Sequence, residues 1–161
     1  MATVYIETSV ISYLTARPSP ALLAAAHQQV TREWWDYHRQ RFDQFISPLV
    51  LDEAARGDPD AAARRLTVLE GFSVLEPTPA AAGLVDMLIA DGALPSVARD
   101  DATHVAIAAV HHMDYLVTWN CRHIDNAEAK PLIRSVCAVH GYVCPEICTP
   151  EELMGGTSDE G

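Results

Sequence analysis

The sequence predicts an α/β fold in which helices cover both faces of a central parallel sheet. Short apolar segments typical of strands alternate with longer helical segments along the chain. The short segments lack hydrophobic–polar alternation, as expected for strands that are buried on both faces. Breaks such as Gly57-Asp58-Pro59 separate the segments. Because ligands bind beyond the carboxyl ends of such strands, the residues after each strand are the first candidates for a site.

Four segments have the composition of buried strands. The first, Thr3–Ile6, combines β-branched and aromatic residues and ends at Glu7. The other three cover residues 44–47, 72–75 and 115–118. We therefore predict at least four strands.

Helices are predicted between these strands. Residues 21–41 lack Gly and Pro and predict one long helix. Pro48 suits the first turn of a helix that carries Glu53, and Asp100-Asp101 begin the most apolar helix, which extends to Met113. Further helices are predicted over residues 60–70, 78–90 and 127–140, with a short one after Thr149.

The size and composition predict one domain. The chain has 161 residues, of which 49% are hydrophobic, and we expect a single domain over residues 1–154 with a flexible tail over residues 155–161. No apolar run reaches the roughly 18 residues that a membrane helix needs. The first residues also lack the pattern of a signal peptide. We therefore expect a cytoplasmic protein with no membrane association.

The charge and the cysteines restrict the function classes. The net charge of −11 argues against general nucleic-acid binding through a basic face, although bound metal ions could supply positive charge, and it suits a basic protein partner. Cys121, Cys137, Cys144 and Cys148 lack the paired spacing of a zinc site. Without an export signal, reduced thiols are expected.

Three carboxylates and an amide lie near predicted strand ends or helix starts, the region where ligands of parallel sheets bind. Glu7 follows the first strand, Glu53 lies on the helix after the second, and Asp101 begins the apolar helix. Asn120 comes two residues after Thr118, beyond the fourth strand. Carboxylate oxygens suit Mg²⁺ or Mn²⁺, and two such ions about 4 Å apart can promote phosphodiester hydrolysis. Taken singly, Glu7 or Asp101 could instead cap a helix, Glu53 could be solvated, and Asn120 could be a turn residue.

Four segments around these residues resemble, in the same order, the motifs of the PIN-domain family, and in particular those of VapC-type toxins. The segments are Val4-Tyr5-Ile6-Glu7-Thr8-Ser9-Val10, Ser47-Pro48-Leu49-Val50-Leu51-Asp52-Glu53, Asp101-Ala102-Thr103-His104-Val105-Ala106-Ile107-Ala108 and Leu116-Val117-Thr118-Trp119-Asn120. The resemblance covers about residues 4–152. It implies a three-layer α/β/α fold with four or five parallel strands, and a Mg²⁺- or Mn²⁺-dependent endoribonuclease. It also implies a homodimer inhibited by a cognate antitoxin.

The resemblance assigns roles to individual residues. Glu7, Glu53 and Asp101 would bind metal, and Asn120, together with Thr118, would orient water or substrate. Glu7 stands where the family usually has Asp, and Asn120 where it often has Asp.

The sequence also allows other roles for several residues and two alternative functions. His104 could be a ligand, but a hydrogen-bonded helix histidine near the site or in the core is the favoured interpretation. Trp34, Trp35 and Tyr37 could stack on bases, but a packing role is favoured. The alternative functions are a PIN-like interaction module without catalysis and a metal phosphohydrolase of small nucleotides.

Overall fold

A parallel sheet of five strands forms the centre of the computed structural model, which describes residues 1–155. The strands are β1 (Thr3–Ile6), β2 (Asp43–Ile46), β3 (Ser73–Val74), β4 (Tyr115–Val117) and β5 (Glu146–Cys148). Their order across the sheet is β3-β2-β1-β4-β5, and every neighbouring pair is parallel. The three-layer α/β/α fold with a central parallel sheet is confirmed.

Helices connect the strands and cover the sheet. In residues 1–155 they are α1 (Thr8–Thr15), α2 (Leu22–Tyr37), α3 (Pro48–Ala54), α4 (Pro59–Leu69), α5 (Pro79–Ala90), α6 (Arg99–Val110) and α7 (Ala129–Val139). Short 3₁₀ turns lie at Arg39–Arg41, Ser96–Ala98 and Glu151–Leu153. The predicted long helix ends earlier than expected. Its backbone changes to a 3₁₀ turn where the Gln44 amide donates to the Arg39 carbonyl and accepts from the Arg39 guanidinium.

The strand β5 is the one strand that the sequence pattern did not single out. It has three residues, follows Pro145, and pairs with β4 at the edge of the sheet. A segment of three residues is too short to show a period, and two cysteines flank it at Cys144 and Cys148. The five-strand count matches the upper value that the family resemblance implied.

The core centres on β1 and α6. Val4, Tyr5 and Ile6 are fully buried, and α6 is buried from Val105 to Ala109. Alanines on α6 allow close approach of the neighbouring elements, since their side chains add little volume. Burial of β1 leaves its carboxyl end, rather than its middle, within reach of a ligand.

The predicted aromatic packing is found for two of the three residues. Trp34 and Trp35 lie in the core, whereas Tyr37 is exposed. All four cysteines are free, and burial raises the pKa of the Cys148 thiol to about 12.

Two further sequence predictions concern membrane helices and the C-terminal tail. In the described part of the chain, no helix is both long and apolar enough to cross a membrane. Of the tail predicted over residues 155–161, all but Gly155 lies outside the described residues.

Candidate metal centre

The carboxyl ends of β1 and β4 bring Glu7 and Thr118 together. The Glu7 backbone N–H donates to the Val117 carbonyl at 3.1 Å, and the Thr118 hydroxyl donates to Glu7 Oε1 at 2.6 Å. The Ser9 hydroxyl also donates to Oε1, and the Ser9 backbone N–H donates to Oε2 at 3.1 Å. Glu7 therefore caps α1, as one sequence-based alternative proposed. The same three donors fix the orientation of its buried carboxylate.

Glu53 approaches the same place from α3. Its Oε1 accepts from the Thr8 hydroxyl at 2.7 Å and lies 2.5 Å from His104 Nε2. Burial alone would raise the pKa of Glu53. The hydrogen bond to His104, the charge of His104 and the Thr8 hydroxyl oppose burial and lower this pKa below its usual value. The side chain keeps 19% of its surface exposed, so this carboxylate lies at the opening of the site.

His104 projects from α6 between the two carboxylates. Its Nε2 contacts Glu53 and lies 4.0 Å from Glu7 Oε2, while its Nδ1 lies 2.6 Å from the Tyr5 hydroxyl. That hydroxyl is 2.7 Å from Ser47 Oγ, and both partners are buried. Burial would lower the pKa of His104, but the bond to Glu53 and the negative charges of Glu7, Glu53 and Asp101 raise it overall.

Glu7, Glu53 and His104 form one cluster of candidate metal ligands. One ligand atom from each residue lies within 4.8 Å of the other two. The sequence predicted that Glu7 and Glu53 would meet, and it favoured His104 as a hydrogen-bonded histidine near the site or in the core rather than as a ligand. A signal for its role was present, because His104 directly precedes the apolar run of α6 and lies one helical turn after Asp101.

Asp101 lies outside this cluster, one helical turn before His104. It belongs to the first turn of α6, whose cap residue is Ala98, so Asp101 does not cap the helix. Its Oδ2 lies 2.9 Å from His123 Nδ1. Its negative charge still acts on His104. A metal-binding role for Asp101 stays a prediction.

Asn120 forms a turn next to the cluster. Its backbone N–H donates to the Thr118 hydroxyl at 2.9 Å, and its side-chain oxygen accepts from the His123 backbone N–H at 3.0 Å. The amide thereby holds the turn that presents His123 to Asp101. Roles for Asn120 and Thr118 in orienting water or substrate also stay predictions.

The cluster fits a divalent metal ion in its chemistry. Two carboxylates supply oxygen ligands and His104 supplies a nitrogen ligand, which together suit a doubly charged ion. In residues 1–155 no hydrogen bond reaches Glu53 Oε2, so this oxygen is available as a ligand. The donors on Glu7 keep that carboxylate in place, which favours a preformed site.

Comparison with protein families and with curated proteins finds no match for this chain. Solved structures do match. One is VapC20 of Mycobacterium tuberculosis, described as a toxin that cleaves the sarcin-ricin loop, at 15% identity and a TM-score of 0.58, covering 88% of this chain and 97% of VapC20. Another is VapBC2 of Rickettsia felis bound to a DNA fragment from its promoter, at 13% identity and a TM-score of 0.50, covering 81% and 92%.

Similarity at this level of identity establishes the fold, and it covers nearly the full length of the matched chains. The parallel sheet that the strand pattern predicted is consistent with this similarity. The chain therefore has the PIN-domain fold of VapC toxins.

Proposed function

We propose that this protein is a metal-dependent endoribonuclease and the toxin of a toxin–antitoxin module. One observation carries the proposal: Glu7 and Glu53 meet a buried histidine at the carboxyl end of β1, in a PIN-domain fold. Carboxylates gathered at this edge of a parallel sheet suit a ligand site. The fold similarity to VapC20, whose description names cleavage of the sarcin-ricin loop, supports RNA cleavage by this chain.

The residues of the cluster would hold the metal ion, with Asp101 at its border. A bound Mg²⁺ or Mn²⁺ would supply Lewis acidity toward the phosphodiester and toward water. Ser9 and Thr118 would keep the Glu7 carboxylate oriented through their hydrogen bonds. His104 would fix the position of Glu53 in the free protein through its short contact at 2.5 Å.

Arginine near the opening would help an acidic protein to hold RNA. The charge of Arg56 acts on Glu53, and its guanidinium lies 3.6 Å from the Asp100 carboxylate on an exposed surface. A phosphate that approaches Glu53 would therefore meet a positive charge at the opening. We propose Arg56 as the residue that contacts the RNA backbone there.

The structural similarity to VapBC2 supports an antitoxin as a partner of this chain. VapBC2 of Rickettsia felis was solved on a DNA fragment from its promoter, and we infer that this chain also has a cognate antitoxin. The net charge of −11 suits a basic partner. We further propose a cytoplasmic homodimer, as the family resemblance implies.

An RNA cleavage assay tests the proposal. The purified protein is treated with EDTA, supplied with MnCl₂ or MgCl₂, and incubated with structured RNAs that include a sarcin-ricin loop. Glu53→Gln should slow cleavage at least about tenfold, equivalent to about 1.4 kcal/mol in the barrier. Asp52→Asn is the matched control, since Asp52 is the exposed neighbour of Glu53 on α3 and should leave the rate unchanged.

The result that would overturn the proposal is a wild-type protein that is inert with every metal and RNA tested. Such a protein would be better explained as an interaction module without catalysis. Equal loss of activity in Glu53→Gln and Asp52→Asn would also contradict the assigned site.

A further inference from the structure

We infer that His104 is itself a metal ligand, and that it makes the site select a first-row transition ion such as Mn²⁺ or Co²⁺ over Mg²⁺. The inference rests on the metal site of the proposed function and deepens it by naming the class of ion. An all-carboxylate site suits Mg²⁺ and Mn²⁺ alike, whereas an imidazole nitrogen raises the affinity for first-row transition ions, least for Mn²⁺ and more for Co²⁺ and the later ions of the series.

The imidazole of His104 is directed toward the two carboxylates of the cluster. Nε2 of His104 points at both carboxylates, 2.5 Å from Glu53 Oε1 and 4.0 Å from Glu7 Oε2. A small displacement of the Glu53 side chain, which is partly exposed, would open space for an ion among the three ligand atoms. Glu7 and His104 are the fixed side of the cluster because both are buried.

The His104 ring is also held by a hydrogen bond on the side away from the carboxylates. A metal-ligating histidine almost always uses its other ring nitrogen in a hydrogen bond, which fixes the ring and its tautomer. Nδ1 of His104 has such a partner in the Tyr5 hydroxyl, which in turn contacts Ser47. Both hydroxyls can donate or accept. With Nδ1–H donating to Tyr5 and Tyr5 donating to Ser47, Nε2 would give up the proton that it donates to the Glu53 carboxylate in the metal-free protein and offer its lone pair to an ion.

Two of the three candidate ligands are buried. Mg²⁺ dehydrates reluctantly and usually keeps several water ligands in its octahedral shell. Here the Glu7 side chain is 6% exposed and His104 is fully buried, so water would reach a bound ion mainly from the side of Glu53. A site that leaves fewer positions for water ligands disfavours Mg²⁺ relative to an ion that accepts a nitrogen ligand.

Charge supports the same assignment. Two carboxylates and a neutral imidazole carry a formal charge of about −2, which a divalent ion would cancel inside the fold. An imidazolium in the same position would leave one negative charge uncompensated. A divalent ion would therefore neutralise this ligand set.

The decisive experiment reads the ligand directly in the wild-type protein. One equivalent of MnCl₂ is added to EDTA-treated protein, and electron spin-echo envelope modulation is recorded. We expect ¹⁴N modulation from a directly bound imidazole. Bound Mn²⁺ without nitrogen modulation would overturn the inference, and this measurement does not depend on the folding of any variant.

Calorimetric titrations with MnCl₂, CoCl₂ and MgCl₂ test the selectivity. His104→Gln should weaken Mn²⁺ and Co²⁺ binding at least about tenfold, the lower end of the loss seen when even an outer partner of a metal site is removed. Mg²⁺ binding should change much less. His111→Gln is the matched control, because His111 follows the same helix but contacts the Glu76 carbonyl. Equal weakening of all three ions in His104→Gln would contradict the inference.

The outcomes separate this inference from the proposed function. Nitrogen modulation in a protein that cleaves no RNA would support the ligand role and contradict the nuclease. Metal-dependent cleavage with no nitrogen modulation would support the nuclease and contradict the ligand role.

Discussion

Removal of the Tyr5 hydroxyl tests the buried hydrogen bonds that hold His104, and the test requires neither metal nor RNA. The hydroxyl lies 2.6 Å from His104 Nδ1 and 2.7 Å from Ser47 Oγ, and all three residues are fully buried. Tyr5→Phe leaves both neighbours without this partner in a place that water does not reach. Each buried polar group deprived of its partner costs about 1–3 kcal/mol.

The net cost is smaller than the sum of the two losses, because the variant no longer buries a phenolic hydroxyl. Taking about 2 kcal/mol for each neighbour and subtracting about 1 kcal/mol for that hydroxyl gives roughly 3 kcal/mol of lost stability. In a chain of this size, 1 kcal/mol shifts Tm by about 2–4 °C, so a decrease of about 6–12 °C is expected.

Urea unfolding of the metal-free protein at pH 7 is the assay. Tyr115→Phe is the matched control, because Tyr115 is a half-buried tyrosine on β4 whose hydroxyl makes no hydrogen bond within residues 1–155. It should cost at most about 0.5 kcal/mol. A Tyr5→Phe cost no larger than that of the control would refute the reasoning.

A double-mutant cycle separates the hydrogen-bond chain from general packing. Ser47→Ala alone should cost about 1 kcal/mol, since Tyr5 keeps its contact with His104. In the Tyr5→Phe/Ser47→Ala protein, Ser47 no longer leaves an unpaired hydroxyl, so the cost should fall below the sum of the single changes by about 1 kcal/mol. Strict additivity would show that the two hydroxyls are not coupled.

Two further predictions concern charge. The pKa of His104 is raised in the folded protein, so its stabilising contribution is complete below the unfolded value of 6.5 and is lost as pH rises through the folded pKa. The free energy of unfolding of the metal-free protein should therefore fall with rising pH above about 6.5, and urea unfolding of His104→Gln over the same pH series should show a weaker slope. Glu7→Gln retains an oxygen acceptor for Ser9 and Thr118 but loses the charge, so RNA cleavage should slow at least about tenfold. If Glu7 only caps α1, the substitution would cost a few tenths of a kcal/mol in stability and leave the cleavage rate unchanged.

The meeting of Glu7 and Glu53 could be predicted because it depends only on sheet topology. Each residue follows a buried strand in the sequence, and the carboxyl ends of parallel strands share one edge of the sheet. That β1 and β2 are direct neighbours brings the two segments still closer. No knowledge of side-chain packing was needed for this step.

The contribution of His104 could not be predicted in the same way, because it depends on which face of α6 meets β1. Neighbouring helix positions differ by about 100° in direction, and a nearly all-apolar helix gives little sign of which side faces the site. The Asn120 side chain was ambiguous for a related reason. An amide after a strand can serve a ligand or a turn, and only the position of the His123 backbone shows that its oxygen holds a turn.

Packing by itself gives no reason for a histidine at position 104. A buried polar side chain requires partners, and replacing a buried ion pair by apolar residues of similar volume is often neutral or stabilising. The neighbours of His104 on α6, from Val105 to Ala109, are apolar and buried, so an apolar residue would suit this helix at least as well. The imidazole is instead held at both nitrogens, by Tyr5 on one side and Glu53 on the other. Such an arrangement fixes the direction of Nε2 toward Glu7 and Glu53. A function at this cluster therefore explains the presence of a histidine at position 104, which stability alone does not.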